Sequence, residues 1–253
     1  MDDQEPFAEP IEERINPPAF NVPMILVWLI AGLIGVHVLR YLLDARTDLW
    51  VVFAFGFLPG RYVQTTLDMP MPLGVLGDLL GPVTYTFLHG SWLHLFSNSI
   101  WLLAFGAPVA QRFRAVRFLA LGAVCSIFGA LAHLVTHWGE MVPVIGASAA
   151  VSGYMGAAIR FAFSPGGPLT RSGRADPQAA IQAPAAGILG ALANRNVLLF
   201  MAVWFGFNLI FGLGAVQIGG IDAEIAWEAH MGGFLAGLLL FKLFDPVRDT
   251  VAA

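Results

Sequence analysis

The chain has 253 residues, of which 57% are hydrophobic and 12% are charged, and its formal net charge is −4. Soluble domains carry roughly a quarter of charged residues, so this composition predicts an integral membrane protein, and it offers no basic surface for nucleic acid. The single cysteine, Cys125, excludes a disulfide framework and a cysteine-rich metal site.

The chain begins with an acidic segment, which is followed by a first apolar span. Residues 1–21 start with carboxylates rather than with the basic residues of a signal peptide, so they are predicted to form a cytosolic tail. A membrane-spanning helix needs about 20 mostly apolar residues, and residues 22–43 meet this requirement. Residues 44–90 are apolar but interrupted by proline and glycine, so they are predicted to lie partly in the membrane interface.

Further along the chain, five apolar segments have the length of a span: residues 92–110, 118–138, 146–163, 196–213 and 225–244. Residues 164–195 are rich in proline, glycine, alanine and glutamine and are predicted to be a mobile cytosolic loop. The expected fold is an all-α polytopic membrane protein with six transmembrane helices. Its membrane domain would cover residues 22–245, and a short cytosolic tail would follow at residues 246–253.

The distribution of arginine and lysine predicts the orientation of the six spans. The loops after the second and fourth spans and the C-terminal segment contain arginine or lysine, whereas residues 139–145 and 214–224 contain neither. Because basic residues favour the cytoplasmic side, both termini are predicted to be cytoplasmic. The long first connection then lies outside, although it carries Arg46 and Arg61.

Four hydrogen-bonding side chains from three different spans are predicted to lie at one depth. His94 and Asn98 occupy the first turns of the second span, Ser148 the first turn of the fourth, and His230 an early turn of the sixth. All three spans enter the membrane from the outer side, so these side chains lie roughly 3–10 Å below the outer ends of their spans. Polar groups within spans are costly and tend to mark function.

The chemistry of these four residues is complementary. His230 can accept the proton of the Ser148 hydroxyl, which is the pairing that activates a serine nucleophile. His94 and Asn98 are four residues apart on one helix face, and both can donate hydrogen bonds to an oxyanion. The N–H of Ser148 at a helix start can add a third donor.

Small residues predict how the fourth and sixth spans come together. Gly233 and Gly237 lie on the face of the sixth span that carries its histidine. Gly153 and Gly156 continue below Ser148 on the fourth span. Since small residues let membrane helices approach closely, these glycines would bring the serine and the histidine near each other.

Three motifs resemble those of the rhomboid family of intramembrane serine proteases. They are F-L-H-G-S-W-L-H-L-F-S-N with His89, His94 and Asn98, then Gly146-Ala147-Ser148, and A-H-M-G-G-F-L-A-G around His230. The run F-G-F-L-P-G, residues 55–60, also resembles the first loop of the family. The resemblance extends over residues 53–244, nearly the whole membrane core.

The resemblance implies a role for each of these residues. Ser148 would be the nucleophile and His230 the general base of a dyad, with an oxyanion hole formed by His94, Asn98 and the Ser148 amide. Supporting roles would fall to His89, Gly146, Gly233 and Gly237. The substrate would be a transmembrane segment of another membrane protein, cut near its outer end in the inner membrane of a bacterium. No cofactor and no metal are implied, and nothing in the sequence indicates an oligomeric state.

Two positions depart from the pattern of the family. Ala149 directly follows the serine where the family usually has glycine; its extra methyl group could crowd the oxyanion site, although alanine is small enough to be tolerated there. Ser152 lies one turn below, where the family usually has an aromatic ring that supports the catalytic histidine. Either another ring then supports the histidine, with Tyr154, Phe207 and Trp227 as candidates, or the site is looser.

Other interpretations of the sequence belong to different classes of protein or site. The same fold with a weak or inactive site would bind transmembrane clients without cutting them. A small transporter would show charges near the middle of its spans, and the spans carry none. His133 and His137 have the spacing of metal ligands, but no carboxylate or cysteine lies beside them in the sequence, so they are interpreted as interface histidines. A metal site formed by Glu228 and His230 is not favoured either, because residues two apart do not face each other on a helix.

Overall fold

The computed structural model describes residues 22–63, 70–212 and 226–247. These residues form helices and turns, and no β-strand occurs among them, so the predicted all-α class is confirmed for this part of the chain. Outside it lie the predicted acidic tail, the loop before the sixth span and the C-terminal residues: 1–21, 214–224 and 248–253.

The described residues form α-helices in the following order. They are α1 (Met24–Tyr41), α2 (Ala45–Phe55), α3 (Val75–Thr84), α4 (Trp92–Trp101), α5 (Ala107–Thr136), α6 (Ser148–Ala158), α7 (Arg171–Ala175), α8 (Pro177–Ile181), α9 (Ile188–Leu192), α10 (Arg195–Gly212) and α11 (Trp227–Phe244). The predicted interfacial connection between α1 and α4 is thus divided into short helices rather than forming a single one.

Two helical stretches of the described chain are long and apolar enough to cross a membrane, Met24–Tyr41 and Trp92–Thr136. Within the second stretch, a π-helical turn at Leu102–Gly106 joins α4 to α5. At Arg114 the backbone leaves the helical conformation, with φ 63° and ψ 171°, so the predicted turn between the second and third spans falls within α5. Arg195–Ile210 is a shorter apolar helix.

α6 packs against both α5 and α11, which also pack against each other. All of its residues from 151 to 158 are buried. Its contact with α11 is made backbone to backbone, since a Cβ atom on Gly233 would overlap the carbonyl oxygen of Ala149. A Cβ atom on Gly237 would likewise overlap the carbonyl oxygen of Gly153. The two helices therefore approach more closely at these glycines than side chains would allow.

The connection between α1 and α4 is folded around a buried arginine. Arg61 is 3% exposed, and its Nε donates to Asp78 Oδ1 at 2.6 Å. Its two Nη atoms donate to three backbone carbonyl oxygens at 2.9–3.0 Å, those of Phe53, Pro72 and Gly74. Phe57 and Val144 exchange a pair of backbone hydrogen bonds of 3.0 and 2.8 Å. These bonds attach the connection to the segment that leads into α6.

Two further buried arginines attach residues 164–195 to the bundle. Arg112 pairs with the carboxylate of Asp245 at 2.8 Å and also donates to carbonyl oxygens at and beyond the end of α8. Arg160 donates to the carbonyl oxygen of Ala186 at 2.9 Å. This segment was expected to be a mobile loop; it contains the short helices α7 to α9, and its mobility stays a prediction. Arg112 and Arg160, two of the arginines whose positions indicate the cytoplasmic side, are thus buried and have a structural role.

Gly237→Ala is expected to lower the thermal unfolding midpoint of the protein in detergent, because the added methyl group would overlap the carbonyl oxygen of Gly153. Overpacking of this kind typically costs about 1–3 kcal/mol. Gly35→Ala in α1 is the matched control, since a Cβ atom there meets nothing within 4 Å and alanine is the better helix former. Equal midpoints for the two variants would contradict the backbone contact.

Candidate active site

α6 begins at Ser148, and the turn before it is built around Gly146. Gly146 has a φ of +126°, a conformation that strongly favours glycine. A Cβ atom on Gly146 would lie 2.7 Å from Cε1 and Nε2 of His94 and 3.6 Å from Nδ2 of Asn98. The structure therefore brings His94 and Asn98 of α4 against the turn that leads into Ser148.

His89 supports the same turn from the segment before α4. It is 1% exposed, and its Nε2 accepts a hydrogen bond from the N–H of Ala147 at 3.5 Å. Its ring packs edge-on against that of His94, with the centroids 5.0 Å apart. The carbonyl oxygen of His89 in turn accepts a hydrogen bond from Arg40 Nη1 at 2.9 Å. His89 thus contacts both the turn before Ser148 and the ring that lies over it.

Asn98 presents a buried donor that has no hydrogen-bond partner within the described part of the chain. The residue is 6% exposed, and the unpaired atom is Nδ2. Leaving a buried donor unpaired costs about 1–3 kcal/mol. Because this Nδ2 lies over Gly146, close to the start of α6, the geometry suits a negatively charged oxygen that arrives at this point.

An asparagine of α10 determines the tautomer of His230. Nδ1 of His230 lies 2.6 Å from Oδ1 of Asn208, and Nδ2 of Asn208 donates to the carbonyl oxygen of Trp204 at 2.8 Å. Since the Trp204 carbonyl can only accept, the NH₂ group of Asn208 faces it and Oδ1 faces the imidazole. Nδ1 of His230 is then the protonated nitrogen, and Nε2 keeps a lone pair that can accept a proton.

Ser148 and His230 belong to helices whose backbones touch. Gly233, three residues after His230, packs directly on the carbonyl of Ala149. Among the residues that the structure describes, no hydrogen bond joins Ser148 to His230. Catalytic hydrogen bonds are often long before substrate binds and shorten in the complex, so this geometry is compatible with a serine–histidine pair.

The structure bears on two expectations about the residues that depart from the family pattern. The methyl group of Ala149 faces α5, where it lies 2.6 Å from a Cβ atom built on Gly129. Tyr154 stacks on Phe118 with the centroids 4.2 Å apart and donates to the Phe118 carbonyl oxygen at 3.1 Å. The Tyr154 ring therefore faces α5 and does not support the histidine.

Asn208 is the site residue that the motifs do not predict. The sequence carries a signal for it, since Asn208 is the only amide, hydroxyl or charged side chain over residues 197–212. Its distance from His230 depends on the packing of α10 against α11, where the rings of Trp204 and Phe234 stack 4.9 Å apart. The imidazole is thus held by an amide oxygen, whereas the sequence led us to expect an aromatic ring in this role: Tyr154, Phe207 or Trp227.

The fold and the site together define a helical protein in which α6 carries a serine at its start, α11 packs on α6 and carries a histidine, and α4 holds a buried hydrogen-bond donor against the turn before the serine. A model of the Rhomboid domain matches residues 77–245, about two thirds of the chain, and this range contains every residue of the site described above. The protein therefore belongs to the rhomboid family, whose members are membrane proteins and are generally serine intramembrane proteases. A comparison with curated protein sequences finds no match.

Gly146→Ala is expected to lower both the unfolding midpoint and the reactivity of Ser148 towards a fluorophosphonate probe. The substitution places a side chain at a φ of +126°, which costs about 1–2 kcal/mol, and the new methyl group would press on the ring of His94. Gly90→Ala is the matched control, because the nearest atom to a Cβ there is 3.8 Å away. A Gly146→Ala protein as stable and as reactive as the control would contradict this description of the turn.

Proposed function

We propose that the protein is a serine endopeptidase that cuts transmembrane segments of other membrane proteins with a Ser148–His230 dyad. The observation that carries the proposal is the hydrogen bond between Nδ1 of His230 and Asn208, because it leaves Nε2 of the imidazole as the base. Ser148 supplies the hydroxyl at the first position of α6. His94 and Asn98 lie over the turn before it, which supports their assignment to the oxyanion hole.

The proposed reaction proceeds through a covalent ester of the serine. Ser148 Oγ attacks the carbonyl carbon of the scissile peptide bond, and Nε2 of His230 takes its proton. The tetrahedral oxyanion accepts hydrogen bonds from Asn98 Nδ2, the His94 ring and the Ser148 N–H. His230 then gives the proton to the leaving amine as the C–N bond breaks. A water molecule deprotonated by the same imidazole attacks the ester, releases the second product and regenerates the hydroxyl.

The proposal also places the site within the outer half of the membrane. We infer six spans with both termini cytoplasmic, in the inner membrane of a bacterium, on the charge distribution of the loops. The length of α6 supports a recessed serine: its 11 residues extend about 16 Å, whereas the hydrocarbon core is about 30 Å thick. Ser148 at the start of this short helix would then lie below the outer surface, at the base of a recess that water enters.

Ser148→Ala and His230→Ala are each expected to abolish cleavage of a reconstituted transmembrane substrate and labelling by a fluorophosphonate probe. The first variant lacks the nucleophile, and the second lacks the base that activates it. Ser152→Ala is the matched control, because Ser152 lies one turn further along the same helix, is 3% exposed and has no part in the proposed chemistry. This control should cut the substrate and be labelled by the probe as the wild type is, and the unfolding midpoints of all variants should agree within a few degrees.

Labelling that persists in Ser148→Ala would refute the proposed nucleophile. A folded wild-type protein that binds transmembrane segments, but neither cuts them nor reacts with the probe, would support the alternative of a catalytically inactive binder of transmembrane clients. The lack of a hydrogen bond between Ser148 and His230 among the described residues is the observation that this alternative would explain.

Asn208→Leu is expected to lower kcat by about 10-fold with little change in KM, because it removes the acceptor that holds His230 in the competent tautomer. A factor of this size corresponds to one hydrogen bond of about 1.4 kcal/mol. Asn208→Asp keeps an acceptor oxygen at the same place and should restore most of the rate. Asn196→Ala, at the exposed start of α10, is the control for changes of an amide on this helix.

Two outcomes would exclude a positioning role for Asn208. One is a leucine variant with the full kcat of the wild type. The other is an aspartate variant as slow as the leucine variant, since the acceptor would then be irrelevant and only the packing of α10 would matter.

A further inference from the structure

Two histidines at the C-terminal end of α5 and a glutamate of α11 form a cluster outside the site described above. His133 lies in the last turn of α5, His137 directly follows the helix, and Glu228 lies in the first turn of α11. One potential ligand atom from each residue lies within 4.8 Å of the others. From this juxtaposition we propose that the three side chains form a binding site for a divalent transition-metal ion of the Zn²⁺ class, held between two helices.

His133 contributes a buried nitrogen that has no hydrogen-bond partner within the described residues. The residue is 6% exposed, and the unpaired atom is Nδ1. Oε2 of Glu228 lies 3.8 Å from this nitrogen, which is too far for a hydrogen bond, and the Glu228 side chain is only 13% exposed. A shielded carboxylate and an unpaired imidazole nitrogen are both costly to bury, and a cation between them would satisfy both.

His137 has its second nitrogen available for the same ion. Its Nδ1 lies 2.8 Å from Oγ1 of Thr136, and that hydroxyl also lies 3.0 Å from the carbonyl oxygen of His133. The carbonyl can only accept, so the single hydroxyl proton goes to it and Thr136 accepts from Nδ1–H of His137. Nε2 of His137 then carries the lone pair. A hydrogen bond to the other ring nitrogen is the usual way in which a metal-binding histidine is oriented.

The ligand set and its spacing suit zinc. Two imidazoles and one carboxylate, with water in the fourth position, are a recurrent zinc coordination. Metal–ligand bonds of about 2.0–2.2 Å place neighbouring ligand atoms about 3.3 Å apart in a tetrahedron, so the 3.8 Å pair has to close by about half an ångström. The rings of His133 and His137 are nearly parallel, with their centroids 4.0 Å apart, so both lie on one side of the helix end. The three ligand atoms lie within 4.8 Å of one another, so completing the site requires side-chain rotations that close the other pairs by up to about 1.5 Å.

The carboxylate is supplied by the packing of the fold and not by the local sequence. Glu228 is 91 positions from His137, and α11 brings it there by packing along α5. The fold thus supplies the carboxylate that the local sequence lacks, whereas the interpretation of the two histidines as interface residues stays a prediction. An ion at this point would join the end of α5 to the first turn of α11, two residues before His230. The proposed metal site takes no part in the serine chemistry, but it would hold in place α11, which carries His230.

The test uses the full chain, purified in detergent without a metal-binding tag, treated with a chelator and titrated with Co²⁺, whose visible absorption reports coordination by protein ligands. We expect a single Co²⁺ ion per chain, displaced by Zn²⁺. His137→Asn and Glu228→Gln should each weaken binding by about 10-fold or more. Glu140→Gln is the matched control, since it removes the same charge from an exposed position after α5. Zn²⁺ should also raise the unfolding midpoint of the wild type and of this control, but not that of Glu228→Gln.

Two results would overturn the proposal. If Co²⁺ produces no absorption from protein ligands, His133 and Glu228 form at most an ion pair. If binding survives both His137→Asn and Glu228→Gln, the metal sits elsewhere on the chain. Neither readout involves proteolysis, so a failure here leaves the proposed endopeptidase untouched, and an inactive Ser148 would leave the metal site untouched.

Discussion

The backbone contact between α6 and α11 is the constraint on which the rest of the site depends. Packed helices ordinarily keep their axes about 8–10 Å apart because side chains separate them. At Gly233 and Gly237 no side chain does so, and the carbonyl oxygens of Ala149 and Gly153 occupy the space that a methyl group would need. This close approach brings His230 to the level at which α6 begins. If side chains separated α6 from α11, the imidazole of His230 would lie further from the start of α6 by about the width of a side chain.

Both ends of α6 are held by groups outside the helix, and its start is left uncapped. No side chain caps its N-terminus, where Ala147 stands, so the first N–H groups stay available to an incoming oxygen. The turn before it is held instead by the Phe57–Val144 backbone pair and by His89. Beyond the other end, Arg160 is 2% exposed and donates to backbone carbonyls of neighbouring segments. A short helix with a reactive first residue thus keeps its position without a cap of its own.

Helical spacing was enough to predict that His94 and Asn98 lie together, and the structure places both against the turn that leads into Ser148. His94 and Asn98 share a helix face because they are four residues apart, and their depth follows from the length of a span. Contacts that depend on the packing of distant helices could not be predicted in this way. Asn208 and Glu228 lie near their histidines only because of the angles at which α10 and α5 pack against α11. Periodicity states which face a residue occupies, but not which residue of another helix lies opposite.

The pairing of His230 with Asn208 makes the proton on the imidazole a reporter of helix position. Asn208 belongs to α10, whose outer surface is largely apolar and exposed, and which packs on α11 mainly through the aromatic rings around Trp204. When α10 is seated, Nδ1 is protonated and Nε2 is basic. If α10 swings outwards, the acceptor leaves and the two tautomers become comparable in free energy. A lateral movement of α10 would thereby change whether Nε2 of His230, on the neighbouring α11, carries a proton.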